Sequence, residues 1–176
     1  MPARANQKVH FMSDRQDWGT PPAFLEYLVD FFAWSPDLDA AASPENAKAP
    51  FFFTKEDDAL TQDWFGRVWL NPPFGRVIGD FIDKCIVEIK NPKVDSIFAL
   101  VPARTDTAWA HRAFWSASHV YLIKGRFNFR FDEAIPGANA PFPSMLLFWH
   151  TCGCEDCEQI EPLDVPKEYR LSLIHI

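Results

Sequence analysis

The chain has 176 residues, 48% of them hydrophobic, which suits one domain with a sizeable core. Its net charge of −7 argues against wholesale, non-specific polyanion binding but leaves room for a local basic groove. No stretch is long and apolar enough to span a membrane, and the opening MPARANQKVHF carries no apolar signal core, so a cytoplasmic location is expected.

Residues 1–16 are polar and irregular and read as a flexible arm. In DWGTPPAFLEYLVDFFAW, Thr20 suits an N-cap and Pro21 or Pro22 a first helical turn. Phe24, Leu25, Leu28, Phe31 and Phe32 then recur at helical spacing. SPDLDAAAS predicts a short strand that ends on Asp39 and the small residues Ala40, Ala41 and Ala42. APFFFTKEDD predicts a second, ending at Glu56, Asp57 and Asp58, and GRVWLNPPFG a third. VIGDFIDKCIVEIK places Ile78, Phe81, Ile82, Cys85, Ile86 and Ile89 on one face of an amphipathic helix. VDSIFALVPA is a continuous apolar strand, as a sheet covered on both faces requires. DTAWAHRAFWSA reads as a helix, HVYLIKGRFNFRF and SMLLFWH as strands, DEAIPGANAPFP as the loop between them, and residues 151–176 as an irregular tail.

Strand and helix alternate, which predicts an α/β domain over residues 17–150 with a largely parallel sheet. Ligands of such sheets bind beyond the carboxyl ends of the strands. The residues expected there are Asp39 to Ala42, then Glu56 to Asp58, then Asn71 to Phe74, then Arg104, Thr105 and Asp106.

The sequence Asn71-Pro72-Pro73-Phe74 suits methylation of an amine attached to an aromatic ring. The lone pair of such an amine is delocalised into the ring, so attack on a methyl group requires the nitrogen to become more tetrahedral. Two acceptors, the Asn71 side-chain oxygen and the Pro72 carbonyl, would favour that change by receiving its hydrogens. Pro72 and Pro73 fix the backbone in advance, and Phe74 offers a face for the heterocycle.

The segments DWGTPPAF, DLDAAASPENAK, WLNPPFG, VPARTDTAW and KGRFNF, in that order, resemble the phage-type DNA N-6-adenine methyltransferases, the Dam-like family. The likeness runs from about Asp17 to Trp149. It implies a Rossmann-like methyltransferase fold, S-adenosylmethionine as cofactor, DNA as partner, and transfer to the exocyclic amine of a flipped adenine. It also implies that Asp39, Ala40 and Ala41, with Thr20 and Pro21 of the W-x-T-P segment, meet the methionine end of the cofactor. An acid after the second strand, with Glu56, Asp57 and Asp58 in competition, would take the ribose. Asp39 has a plainer reading as a helix N-cap, and Asp63 reads either as a neighbour of the adenine pocket or as a surface acid. Arg104 suits a phosphate or a structural pairing with Asp106. Lys124, Arg126 and Arg130, interleaved with Phe127, Phe129 and Phe131, suit a nucleic-acid groove or an ordinary amphipathic strand.

Two other functions stay open at this level: methylation of another planar amine, such as protein glutamine or RNA adenine, and cofactor or nucleic-acid binding without catalysis. No metal is expected for such chemistry. His150, Cys152, Cys154 and Cys157 nevertheless suggest either a zinc knuckle or a turn of reduced thiols. Cys85 reads as a core residue. The ending LSLIHI resembles a translated sequencing adaptor and is set aside from the functional reading.

Overall fold

A computed structural model of the chain describes residues 19–129, 138–140, 142–151 and 160–170. Helix α1 (Pro22–Phe32) begins with proline at its first position, where the missing N–H costs no hydrogen bond. Pro21 occupies the N-cap position and no side chain caps the helix, so Thr20 does not serve as the expected cap. The helix closes at Ala33 in the left-handed region, and Trp34 then donates from its indole to Ser96 Oγ at 2.9 Å.

Strands β1 (Leu38–Asp39), β2 (Phe51–Phe52), β3 (Gly66–Leu70), β4 (Val94–Pro102), β5 (His119–Ile123), β8 (Ser144–His150) and β9 (Ile160–Leu163) form one sheet in the order β2-β1-β3-β4-β8-β5-β9. The first four are mutually parallel, β8 runs antiparallel to both β4 and β5, and β9 lies parallel to β5. Helices α2 (Ile78–Glu88) and α3 (Ala108–Ser116) pack together on one face, with α1 on the other. This is a Rossmann-like α/β methyltransferase architecture with a mostly parallel central sheet.

Strand β4 shows why its sequence is apolar throughout. Ile97, Ala99 and Val101 enter the core beneath α2 and α3, while Phe98 and Leu100 enter the core beneath α1. Phe24, Trp69 and Phe127 fill that second core, with the Phe24 and Phe127 rings 4.8 Å apart and near perpendicular. Among the described residues no helix is long and apolar enough to cross a membrane.

Three segments depart from the sequence-based expectation. HVYLIKGRFNFRF is not one strand: β5 ends at Ile123, Gly125 takes φ +89°, and β6 (Asn128–Phe129) starts afresh. A positive φ breaks the extended path, yet the two-residue alternation continues across the break and conceals it. The expected Pro/Gly-rich loop contributes β7 (Ala138–Asn139), which pairs with β6 in a small second sheet. The expected irregular tail contributes β9 and the short helix α4 (Lys167–Arg170), so the main sheet extends beyond residue 150.

The amino edge of the sheet is braced at Gly66. Asp37 accepts from the Arg67 backbone N–H at 3.0 Å and from its guanidinium at 3.0 and 3.1 Å, and these bonds hold the carboxyl below its usual range. Gly66 has φ +62°, and a Cβ there would lie 2.9 Å from Asp37 Oδ2. Gly66→Ala should therefore lower the unfolding free energy by about 1–2 kcal/mol, the cost of the left-handed conformation, plus whatever the Asp37 clamp loses. Urea titration should show an earlier midpoint with an unchanged slope; an unchanged midpoint would contradict this account.

Candidate functional site

The site is built where β3 stops. Leu70 still pairs with Ala99 on β4, but the two prolines that follow Asn71 have no N–H to continue a ladder. Asn71 is two residues beyond Trp69, so it shares the α1 face of the sheet, and its Oδ1 is fully buried. Pro72 is buried, and half-buried Phe74 packs against both cores. The Phe142 ring stands edge-on to Phe74, with centroids 5.4 Å apart at 82°.

The loop after β1 leaves beside this turn. Ala40 donates to the Trp69 carbonyl at 2.9 Å, so β1 stays against β3 to its last residue. Asp39 is 2% exposed and both of its oxygens are engaged: Oδ1 by the Ala41 N–H at 3.2 Å, Oδ2 by the Lys48 N–H at 3.0 Å. The carboxylate thus draws residues 40–48 into a closed loop, tightened by Asn46 Oδ1 accepting from the Ser43 N–H at 2.8 Å. No helix follows, so the N-cap reading of Asp39 fails. Burial raises Asp39 to about 6, outweighing the two N–H donors and the nearby Lys48 charge. Burial also lowers the Lys48 ammonium, opposed by Asp39, and that ammonium donates to the Asn46 carbonyl at 2.6 Å.

The three acids after β2 differ in occupation. Asp57 accepts from the Thr54 N–H and hydroxyl at 2.8 and 2.7 Å, which lowers its carboxyl. Asp58 is exposed in the left-handed region at φ 52°, and its Oδ1 takes the Leu60 N–H at 3.3 Å. Glu56 is exposed and makes no hydrogen bond or ion pair among the described residues.

Thr20 precedes Pro21 and α1; it is 5% exposed, and its Oγ1 has no hydrogen-bond partner among the described residues. Arg104 and Asp106 follow β4, both exposed, and form no ion pair with each other among the described residues. Arg126 is exposed, whereas Phe127 is wholly buried in the core, so within KGRFNF that ring belongs to packing. Arg130 and Phe131 lie outside the described residues. Asp63 is an exposed acid 3.7 Å from Lys93, at the opposite edge of the sheet from Asn71. His150 also lies at that edge, stacked on His119 at 5.4 Å, and His119 Nδ1 meets Glu161 Oε1 at 3.0 Å. Cys152, Cys154 and Cys157 lie outside the described residues, and no metal-binding group occurs among those described.

Sequence reasoning left three site residues unassigned. Lys48 stood within the quoted DLDAAASPENAK without a role, Phe142 in a segment read as loop, and Ser144 at the start of a segment read as a strand. Phe142 meets Phe74, and Ser144 reaches the same edge of the sheet, only through pairing across the sheet, which no local pattern encodes.

A family profile described as DNA N-6-adenine-methyltransferase (Dam) matches residues 8–159. A protein of Escherichia phage T1 named DNA N-6-adenine-methyltransferase is 36% identical over 114 residues, 62% of this chain and 45% of that protein. A protein of the same name from Haemophilus phage HP1 is 29% identical over 123 residues, 69% of this chain and 70% of that protein. The match thus spans less than half the length of the phage T1 relative.

The buried Asp39 gives the site a pH signature. Between its ordinary value of 3.8 and about 6, the folded chain keeps a proton that the unfolded chain releases. Stability from this residue should therefore fall as pH rises through that window and level off above it, by at most about 3 kcal/mol. Unfolding free energies of wild type and Asp39→Asn, measured from pH 4 to 7, should converge or cross accordingly. A difference that stays flat, or moves in favour of wild type as pH rises, would mean that the loop is held by the ionised carboxylate.

Proposed function

The chain belongs to the DNA N-6-adenine-methyltransferase (Dam) family, and we propose that it transfers a methyl group from S-adenosylmethionine to the exocyclic amine of an adenine in DNA, at a specific site. The observation that carries this reading is Asn71-Pro72-Pro73-Phe74 at the carboxyl end of β3, directly beside the closed loop that follows β1.

When bound, S-adenosylmethionine supplies a methyl group on a sulfonium centre. The residues present fit it. Ala40 and Ala41 are small residues packed against the core under α2 and α3 directly after β1, so they add no bulk there, and the Thr20 hydroxyl is a buried polar group with no partner among the described residues. Asp39 acts by shaping the loop, since its own oxygens already hold two N–H groups. Pro21 fixes the entry to α1 next to Thr20. Asp58, with Glu56 as its competitor, is exposed after β2 and would accept from the ribose hydroxyls.

The target adenine must leave the duplex stack to reach such a site. Phe74 then stacks on the base, while the Asn71 side-chain oxygen and the Pro72 carbonyl accept the two amine hydrogens. Both acceptors are positioned before the base arrives, so the nitrogen is held pyramidal with its lone pair free for attack. The surplus proton leaves to solvent after transfer. Arg104, with Asp106 beside it, and Arg126 are exposed to receive DNA phosphates near the same edge.

Tritiated methyl transfer to unmethylated duplex DNA, followed by digestion to nucleosides, should yield labelled N-6-methyladenine, and single-molecule sequencing of the product should give its context. Asn71→Ala should lower kcat by about 10²–10³ with donor binding retained. Phe74→Ala should lower kcat/KM by about tenfold or more, and Phe74→Tyr far less. Label appearing in RNA or on protein glutamine instead of DNA would overturn the reading, as would full activity of Asn71→Ala.

A further inference from the structure

The strongest unassigned feature at this edge is the hydroxyl of Ser144. The residue is 3% exposed, and its Oγ has no hydrogen-bond partner among the described residues. Its cross-strand neighbour is Pro102, which has no N–H to offer. The following residues Met145 and Leu146 are wholly buried and apolar. Buried hydroxyls are normally bonded, so one left open in an apolar setting needs a reason.

Register gives its direction. Along β8, Met145, Leu147 and Trp149 enter the core under α2 and α3, while Leu146 and Phe148 face the core under α1. Alternation puts Ser144 on the α1 face, the face Asn71 shares with Trp69. Trp69 pairs with Phe98 and Phe98 with Phe148, so Asn71 falls level with Leu146, and Ser144, opposite Pro102, lies two residues further toward the carboxyl edge. The two residues are separated by β4 alone; two strand spacings of about 4.8 Å across and two residues of about 3.3 Å along put their backbones about 12 Å apart. That is the span of a purine with a hydrogen bond at each end. Two residues before Ser144, the Phe142 ring meets Phe74, and the Ala103 N–H bonds the Pro143 carbonyl at 2.9 Å. The segment carrying Ser144 is therefore fixed against the segment carrying Asn71.

We propose that the Ser144 hydroxyl donates a hydrogen bond to a ring nitrogen of the target adenine, on the side away from the amine held by Asn71. This makes Ser144 a specificity-determining residue for the purine. Asn71 reads only an amine, which cytosine also carries; a second group across the ring distinguishes the larger base. The inference rests on the adenine-methylating function proposed above.

The test compares wild type and Ser144→Ala on duplexes carrying, at the methylated position, adenine or its 1-deaza, 3-deaza or 7-deaza analogue. Ser144→Ala should lower kcat/KM on adenine about tenfold. One of the three analogues should cost wild type a similar factor and cost Ser144→Ala nothing further. Ser144→Ala should also melt no lower than wild type, because it removes a buried hydroxyl that has no protein partner. An equal loss on all four bases, or no loss on adenine, would overturn the inference while leaving the adenine reading intact. Wild type that labels no DNA adenine at all would overturn both.

Discussion

The parallel ladder that joins β1, β3 and β4 sets Leu38 beside Val68, Asp39 beside Trp69, and Trp69 beside Phe98. β1 and β3 therefore end within one residue of each other, β4 runs three residues further, and each stops for its own reason. β1 stops because Asp39 recruits the backbone of the following loop. β3 stops because two prolines cannot donate. β4 stops where the Ala103 N–H turns to the Pro143 carbonyl. A slip of one residue in any pairing would turn Asn71 to the other face of the sheet, away from Phe142 and Ser144. The chemistry of the site is thus a consequence of sheet register, and the register is held by the two cores that β3 and β4 fill on opposite faces.

The two edges of the sheet are organised differently. At the amino edge polar groups satisfy one another. Asp37 clamps Arg67; Glu88 takes the Lys84 ammonium at 2.6 Å, the Asn91 amide at 3.1 Å and the Trp64 N–H at 3.3 Å; His119 meets Glu161. At the carboxyl edge the hydroxyls of Thr20 and Ser144 are buried without partners among the described residues. A chain folding for stability alone would bond or replace such groups, whereas a binding site keeps them open for a ligand. The contrast separates scaffold from site without reference to any family.

Much of this was legible in the sequence because it is local. Helical spacing marked α1 and α2, the unbroken apolar run marked β4, and Asn71-Pro72-Pro73-Phe74 marked a strand end at which the proposed amine methylation is sited. What escaped is long-range. The break at Gly125 hid behind continued alternation, and Phe127, which reads equally as a groove ring or as part of an amphipathic strand, packs against Phe24. β9 lies among polar residues and exists because β5 offers it an open edge. Asp39 was recognised as important, but its partner Lys48 is nine residues away on a loop whose shape only folding reveals. The Arg104–Asp106 pairing was plausible from proximity in sequence, yet both side chains face solvent separately.

The net charge of −7 remains to be squared with the DNA substrate proposed above, and the distribution of cations bears on it. Arg67, Lys84, Lys93, Arg112 and Lys124 are each tied to a carboxylate in the scaffold. Lys55, Arg76, Arg104 and Arg126 are exposed and have no such partner among the described residues. Each of these four follows the carboxyl end of a different strand, β2, β3, β4 or β5, so they ring the site edge. Glu56, Asp58 and Asp106 share that rim, and the surface is mixed in sign. A mixed rim would not hold DNA by a broad positive field. It suits a few discrete phosphate contacts that set register while the extruded base is read inside. An acidic chain could meet DNA in this way through Lys55, Arg76, Arg104 and Arg126, exposed cations at the site edge that no carboxylate engages among the described residues.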